Sequence, residues 1–197
     1  MFFILTVSSG FGFYNMSVYM NALAATPTFA VSDISAATAL MFLVSGVTGL
    51  GVAALIERYD IRWVMTVGAA VGGVALALMG AATDTWQIWG LYALFGVGNS
   101  AVSLIPGTTI VTRWFPGPER SIALAVVSTG LSTGGVLLTP LSAVVIRKVG
   151  LELALPWFGL IFFLGISLVS LAVVRAWPEG TERDGISAKA QSWVDWH

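Results

Sequence analysis

The sequence predicts an all-α polytopic membrane protein with six transmembrane helices, and three observations carry that reading. Of 197 residues, 57% are hydrophobic and only 10% charged, against about 25% charged in an ordinary soluble domain. The 19 charges fall in short clusters that leave six charge-free intervals: Phe2 to Ser32, Ile34 to Ile56, Trp63 to Thr83, Thr85 to Thr112, Ser121 to Ile146 and Leu153 to Val174. Each interval reaches the roughly 20 residues that cover about 30 Å of hydrocarbon at about 1.5 Å per residue. The intervals are also continuously apolar, unlike the ~10-residue alternating segments of a membrane β-barrel.

Taken in order, the spans are expected over about 2–25, 35–56, 63–82, 86–111, 121–146 and 153–174, forming one unit over 1–175. The first lacks the basic flank and short apolar stretch of a cleaved signal peptide, so it counts as a span. Charges bound the rest: Glu57 to Arg62 ends the second, Asp84 the third, Arg113 to Arg120 the fourth, and Arg147 to Glu152 the fifth. A charge at a helix centre would cost at least ~2.5 kcal/mol, which is why they gather at the ends. Trp63, Trp86, Trp89, Trp114, Trp157 and Trp177 stand near span ends, where amphipathic rings favour the headgroup region.

With the N-terminus inside, seven basic residues (Arg58, Arg62, Arg113, Arg120, Arg175, Arg183 and Lys189) lie on the inner side and two (Arg147 and Lys148) on the outer side. This positive-inside bias places both termini in the cytoplasm, in a bacterial-type cytoplasmic membrane. With no cysteine and a single histidine, His197, the chain calls for no cofactor and no metal. A net charge of −1 gives no pointer to nucleic acid; the expected partners are the bilayer and a small solute.

The chain also repeats itself. Phe11-Gly12-x-x-Asn15-x-x-Val18 recurs as Phe95-Gly96-x-x-Asn99-x-x-Val102, a displacement of 84 positions; at the same displacement Ser45-Gly46-Val47-Thr48 faces Thr129-Gly130-Leu131-Ser132, and Gly51 faces Gly135. Three spans separate equivalent positions, so the second unit is inverted relative to the first, the 3+3 arrangement of many transporters.

The loop Leu55-Ile56-Glu57-Arg58-Tyr59-Asp60-Ile61-Arg62 resembles the loop signature of the major facilitator superfamily, with Asp60 in place of the usual Gly and Ala53 in place of the leading Gly. Arg113-Trp114-Phe115-Pro116, then Arg120-x-x-Ala123 and Gly130-x-x-x-Gly134 with Pro140 later, is similar to the fifth-span signature of the monocarboxylate and oxalate/formate antiporter-like branch. Phe11-Gly12-Phe13 resembles that branch's first-span motif, although Ser8 stands where an acid is common. The resemblance implies the N-terminal half of a twelve-span carrier working by alternating access, with a C-terminal six-helix half beyond this sequence. Residues 176–197 are then the inter-half linker, and Ser192-Trp193-Val194-Asp195-Trp196 resembles the approach to a seventh span. It also implies a cytoplasmic gating role for Glu57, Arg58, Arg62, Arg113 and Arg120, and a midplane cavity lined by the first, second, fourth and fifth spans.

Helical spacing selects the faces. Ser8, Gly12, Asn15 and Tyr19 form one stripe; Tyr92, Gly96, Asn99, Ser103 and Gly107 form another. A lipid-facing amide is costly, so Asn15 and Asn99 point inward, for cavity lining or for helix–helix bonding. Tyr14, Asn15, Tyr19, Asn99, Ser103 and Thr129 are the cavity candidates. Gly68, Gly72, Gly130 and Gly134 are expected to permit close helix packing, and Pro106 to bend the fourth span. Gly130-Leu131-Ser132-Thr133-Gly134 matches the string of serine hydrolases, but such a nucleophile needs an adjacent base and no span holds one, so an enzyme is excluded. The expected function is secondary-active transport of a small solute, an organic anion by resemblance; the alternative is a six-span channel or structural subunit acting as an oligomer.

Overall fold

The computed structural model describes residues 1–24, 29–114, 117 and 119–172, with the backbone alone at 113 and 114. The linker expected over 176–197 and the Arg113 side chain lie outside the described residues. Every regular element among the described residues is helical: α1 (Phe2–Ser9), a π-helical segment (Gly10–Tyr14), α2 (Met16–Ala24), α3 (Val31–Arg58), α4 (Ile61–Met79), α5 (Thr85–Ser100), α6 (Leu104–Trp114), α7 (Arg120–Val149) and α8 (Leu151–Ala172). Five spans match single long apolar stretches, the third of these, the fourth span of the chain, running Thr85–Thr112. α1, the π segment and α2 together make the first span.

Two spans are not the continuous helices the sequence predicts. In the first, Asn15 N donates to Gly10 O at 2.9 Å, the i→i−5 bond of a wide turn. In the fourth, the helix stops at Ser100 and restarts at Leu104, which places Pro106, with no N–H to give Val102 O, in a first turn where none is needed. Val102 N donates to Asn99 O instead, and the Ser103 hydroxyl donates to Ser100 O at 3.0 Å, closing the gap.

Helix ends follow local chemistry. Asp60 caps α4 by accepting from Arg62 N at 3.2 Å. At α5, Thr83 N donates to Gln87 Oε1 at 3.0 Å while Gln87 Nε2 donates to Asp84 Oδ2 at 3.2 Å. Arg147 and Lys148 sit in the last turn of α7, where cations favour the carbonyl end, and Gly150 at φ 84° turns the chain into α8. Within the spans, several hydroxyls are satisfied by the preceding turn: Thr6 to Phe2 O, Thr38 to Ile34 O, Thr48 to Val44 O and Thr129 to Ala125 O, all at 2.7–2.9 Å. Hydrocarbon offers no other partner.

The packing is two-fold symmetric in its pattern. The dominant contacts pair the third span with the sixth, the second with the fourth, the third with the fourth, and the first with the fifth, followed by the first with the sixth. Exchanging spans one and four, two and five, three and six maps this set onto itself. The repeated phenylalanines depart from that exchange: Phe11 lies 5.2 Å from Phe158 and Phe95 lies 5.7 Å from Phe162, both against α8, where the symmetry would carry the second onto α4. Glycines set the close approaches that hold helices together where lipid removes the hydrophobic drive. Gly98 meets the Gly72 backbone and Gly68 O, and Gly134 meets Thr6 O and Gly10 N. α3 and α7 remain the least buried, with Leu43, Val47 and Leu50 on one and Val136, Leu137 and Leu141 on the other exposed.

Candidate functional site

Between the first, second, fourth and fifth spans lies a cavity of about 220 Å³, walled by Ser8, Ser9, Phe13, Phe42, Ser45, Asn99, Ser103 and Leu131 with Leu5 and Leu104. A larger groove of about 320 Å³ between α3, α4 and α5 has walls of Val52, Leu55, Val67, Val71 and Val97, which suit acyl chains rather than a polar solute. The smaller cavity has the mixture that fixes a small molecule: apolar walls with a few placed polar groups.

Its central polar group is Asn99, near the end of α5. Ser8, buried on α1, donates its hydroxyl to Asn99 Oδ1 at 3.0 Å, joining the first and fourth spans. Gly12 makes the room: a Cβ there would stand 2.6 Å from Asn99 Oδ1 and 3.2 Å from Nδ2. With Oδ1 taken, the Nδ2 protons remain as donors for a ligand. Ser9 is tied to the opposite wall, donating to Leu131 O of α7 at 2.9 Å. Ser103 lines the cavity but spends its proton on Ser100 O, leaving its lone pairs. Phe13 makes edge contacts with Phe42 at 5.6 Å and Tyr14 at 5.3 Å, an aromatic rim. Among the described residues, no charged side chain lines this space.

The other candidates fall elsewhere. Asn15 is fully buried and faces α7, with Nδ2 donating to Ser142 Oγ at 2.6 Å and to the Tyr19 hydroxyl at 3.3 Å. Tyr19 is fully buried in the same cluster. Tyr14 packs its ring on Gly135 and is partly exposed, and Thr129 is exposed on α7 away from the cavity. The wide turn at Gly10–Tyr14 explains the division: one extra residue rotates the remainder of the helix by about 100°, so Ser8 and Gly12 stay with the fourth span while Asn15 swings to Ser142 of the fifth. Helical spacing does not single out Ser45, Phe13 or Phe42 as wall residues; of these, Ser45 carries a signal in its place in the repeat.

Of the residues expected to gate, Glu57 and Arg58 are exposed at the end of α3, and Arg120 is exposed at the start of α7. Arg62 is half-buried: its carbonyl accepts from Thr66 at 2.8 Å and from Ser170 of α8 at 3.3 Å, while its Nε is buried without a partner. Trp63, Trp86 and Trp157 are exposed near the span ends. Gly68 and Gly72 lie between α4 and α5, and Gly130 meets Phe2 O of α1.

The family model of the Major Facilitator Superfamily matches residues 2–197. Over 155 residues the chain is 30% identical to a probable chloroplastic anion transporter 3 of Oryza sativa subsp. japonica, covering 78% of this chain and 29% of that protein. Over 78 residues it is 37% identical to a galacturonate transporter of Dickeya chrysanthemi, covering 38% of this chain and 23% of that protein. A bacterial homologue of the human lysosomal transporter Spinster, solved inward-facing and unoccupied, superposes with a TM-score of 0.68 at 18% identity, covering 91% of this chain and 43% of that one. The chain thus spans under a third of these two curated relatives' length and less than half of the structural neighbour's.

Proposed function

The chain belongs to the Major Facilitator Superfamily, and from that premise we propose that it is one six-helix half of a carrier that moves a small organic anion across a membrane by alternating access. The observation that carries this is the Ser8–Asn99 pair in a polar cavity bounded by the spans that the inverted repeat relates. A carboxylate oxygen accepts well from the Asn99 amide, hydroxyl groups of a solute match the serines, and Phe13 and Phe42 exclude water from the carbon skeleton. A hydroxylated monocarboxylate such as galacturonate combines these features, and the anion and galacturonate carriers among the relatives support that class. This half brings donors but no cation, so a second six-helix half packing on the exposed faces of α3 and α7 supplies the counter-charge and any coupled ion. The Arg-rich loops face the cytoplasm in this reading, with Glu57, Arg58, Arg62, Arg113 and Arg120 forming the inner gate.

These 197 residues hold no cysteine, so Ser45→Cys, with any cysteine outside them replaced by serine, gives a single reporter on the cavity wall. D-galacturonate is expected to slow its alkylation at least fivefold, with glucose giving little protection. Equal protection by neutral sugars would overturn the anion assignment, and no protection by any carboxylate or by phosphate would overturn the site.

A further inference from the structure

Two of the buried side-chain atoms without a hydrogen-bond partner are Asn15 Oδ1 and the Tyr92 hydroxyl, and both residues are fully buried. Thr38 stands beside Tyr92, but its hydroxyl turns its proton to Ile34 O and makes no hydrogen bond with the Tyr92 hydroxyl. Tyr92 lies within electrostatic reach of Tyr19, which shares the amide of Asn15. The displacement of 84 that relates the repeats carries Ser8 onto Tyr92 and Asn15 onto Asn99. The bond made by Ser8 to Asn99 therefore has a mate in the other repeat, Tyr92 to Asn15, and the two orphaned atoms are its donor and its acceptor.

The wide turn explains why only one of the two is made. Residues seven apart share a face of an α-helix, as Tyr92 and Asn99 do on the regular α5. Ser8 and Asn15 lie on either side of the π segment and so face different neighbours, α5 and α7. Returning that turn to α geometry re-aims Asn15 toward Tyr92. The equivalent stretch of the fourth span, 94–98, holds Gly96 and Gly98 and can accept a wide turn in exchange.

We infer that Tyr92 and Asn15 are the counterpart latch: Tyr92 donates to Asn15 Oδ1 in the state open to the opposite side, where Ser8 has released Asn99. This rests on the carrier reading above, and deepens it by assigning Tyr92 and Asn15 as positioning residues that act on the solute through Asn99. In this proposal the two inverted repeats exchange local conformations between the access states, so one bond closes as the other opens. The substrate amide Asn99 is thereby held in one state and freed in the other.

The test uses the Ser45→Cys reporter in right-side-out and inverted vesicles, without solute, and compares labelling by a membrane-impermeant thiol reagent from each side. Losing one net hydrogen bond shifts a two-state balance about fivefold. Tyr92→Phe is expected to move the ratio about fivefold one way, Ser8→Ala about fivefold the other, and the double variant back to the starting ratio. A purely structural role would move both single variants the same way or neither, and either result overturns the latch. A reporter that labels from one side only, with or without D-galacturonate, would instead sink the carrier reading. Monodispersity of Tyr92→Phe in detergent confirms that folding is intact; should that variant aggregate, Tyr92→Leu, which also removes the donor, must move the ratio in the direction opposite to Ser8→Ala.

Discussion

Gly12 and Gly96 occupy equivalent places in the two repeats, yet the structure assigns a methyl group at each a different fate. At Gly96 the new Cβ would lie 2.6 Å from Met41 O and 3.3 Å from Met41 C, both backbone of α3. Restoring ordinary contact pushes α3 and α5 apart, at an overpacking cost of about 1–3 kcal/mol, offset in part by the ~1 kcal/mol helix preference of Ala over Gly. At Gly12 the obstacle is the Asn99 amide, 2.6 Å away at Oδ1, which can withdraw by rotating its side chain. That movement breaks the Ser8 bond, about 1 kcal/mol, and alanine's helix preference roughly cancels it. Gly96→Ala should therefore lose up to about 2 kcal/mol, or up to about 4–8 °C in Tm at ~2–4 °C per kcal/mol, followed by tryptophan fluorescence in detergent. Gly12→Ala should melt within about 2 °C of the parent but raise the half-saturation for D-galacturonate uptake about fivefold or more. Equal melting losses for the two variants, or unaltered uptake by Gly12→Ala, would refute the assignment of Gly12 as the seat of Asn99.

Other substitutions test separate parts of the fold and site. Asn99→Leu should insert normally and lose at least tenfold in uptake, read by surface labelling and initial rates. Ser142→Ala removes the 2.6 Å acceptor of the buried Asn15 amide and should cost about 1–3 kcal/mol in thermal unfolding with a smaller effect on half-saturation. Asp60→Ala removes the cap of α4 and should cost about 1 kcal/mol, seen as faster hydrogen exchange in the first turn.

The spans were legible because charge is expensive in hydrocarbon: each boundary set by Glu57, Asp84, Arg120 or Glu152 falls within a few residues of a helix end. The repeat was legible because Phe11 and Phe95 are both buried in the core, and Gly12 and Gly96 must both admit a neighbour. What the pattern could not show is where a helix leaves the 3.6-residue period. The stripe Ser8, Gly12, Asn15 and Tyr19 is one face only in a regular helix, and the wide turn between Gly10 and Tyr14 splits it. The signal available was Gly10-Phe11-Gly12-Phe13-Tyr14, two glycines among bulky aromatics in mid-span, where a local widening is least resisted. Likewise Pro106 announces an interruption, but the sequence places a bend where the structure has a full stop and restart between Ser100 and Leu104.

The carrier assignment is tested most directly by counterflow. Vesicles bearing the protein, loaded with unlabelled D-galacturonate and diluted into a trace of labelled solute, should accumulate label transiently above equilibrium, with saturable initial rates. Uptake that rises linearly with concentration, with no overshoot for galacturonate, other small carboxylates or phosphate, would contradict a carrier and indicate a pore.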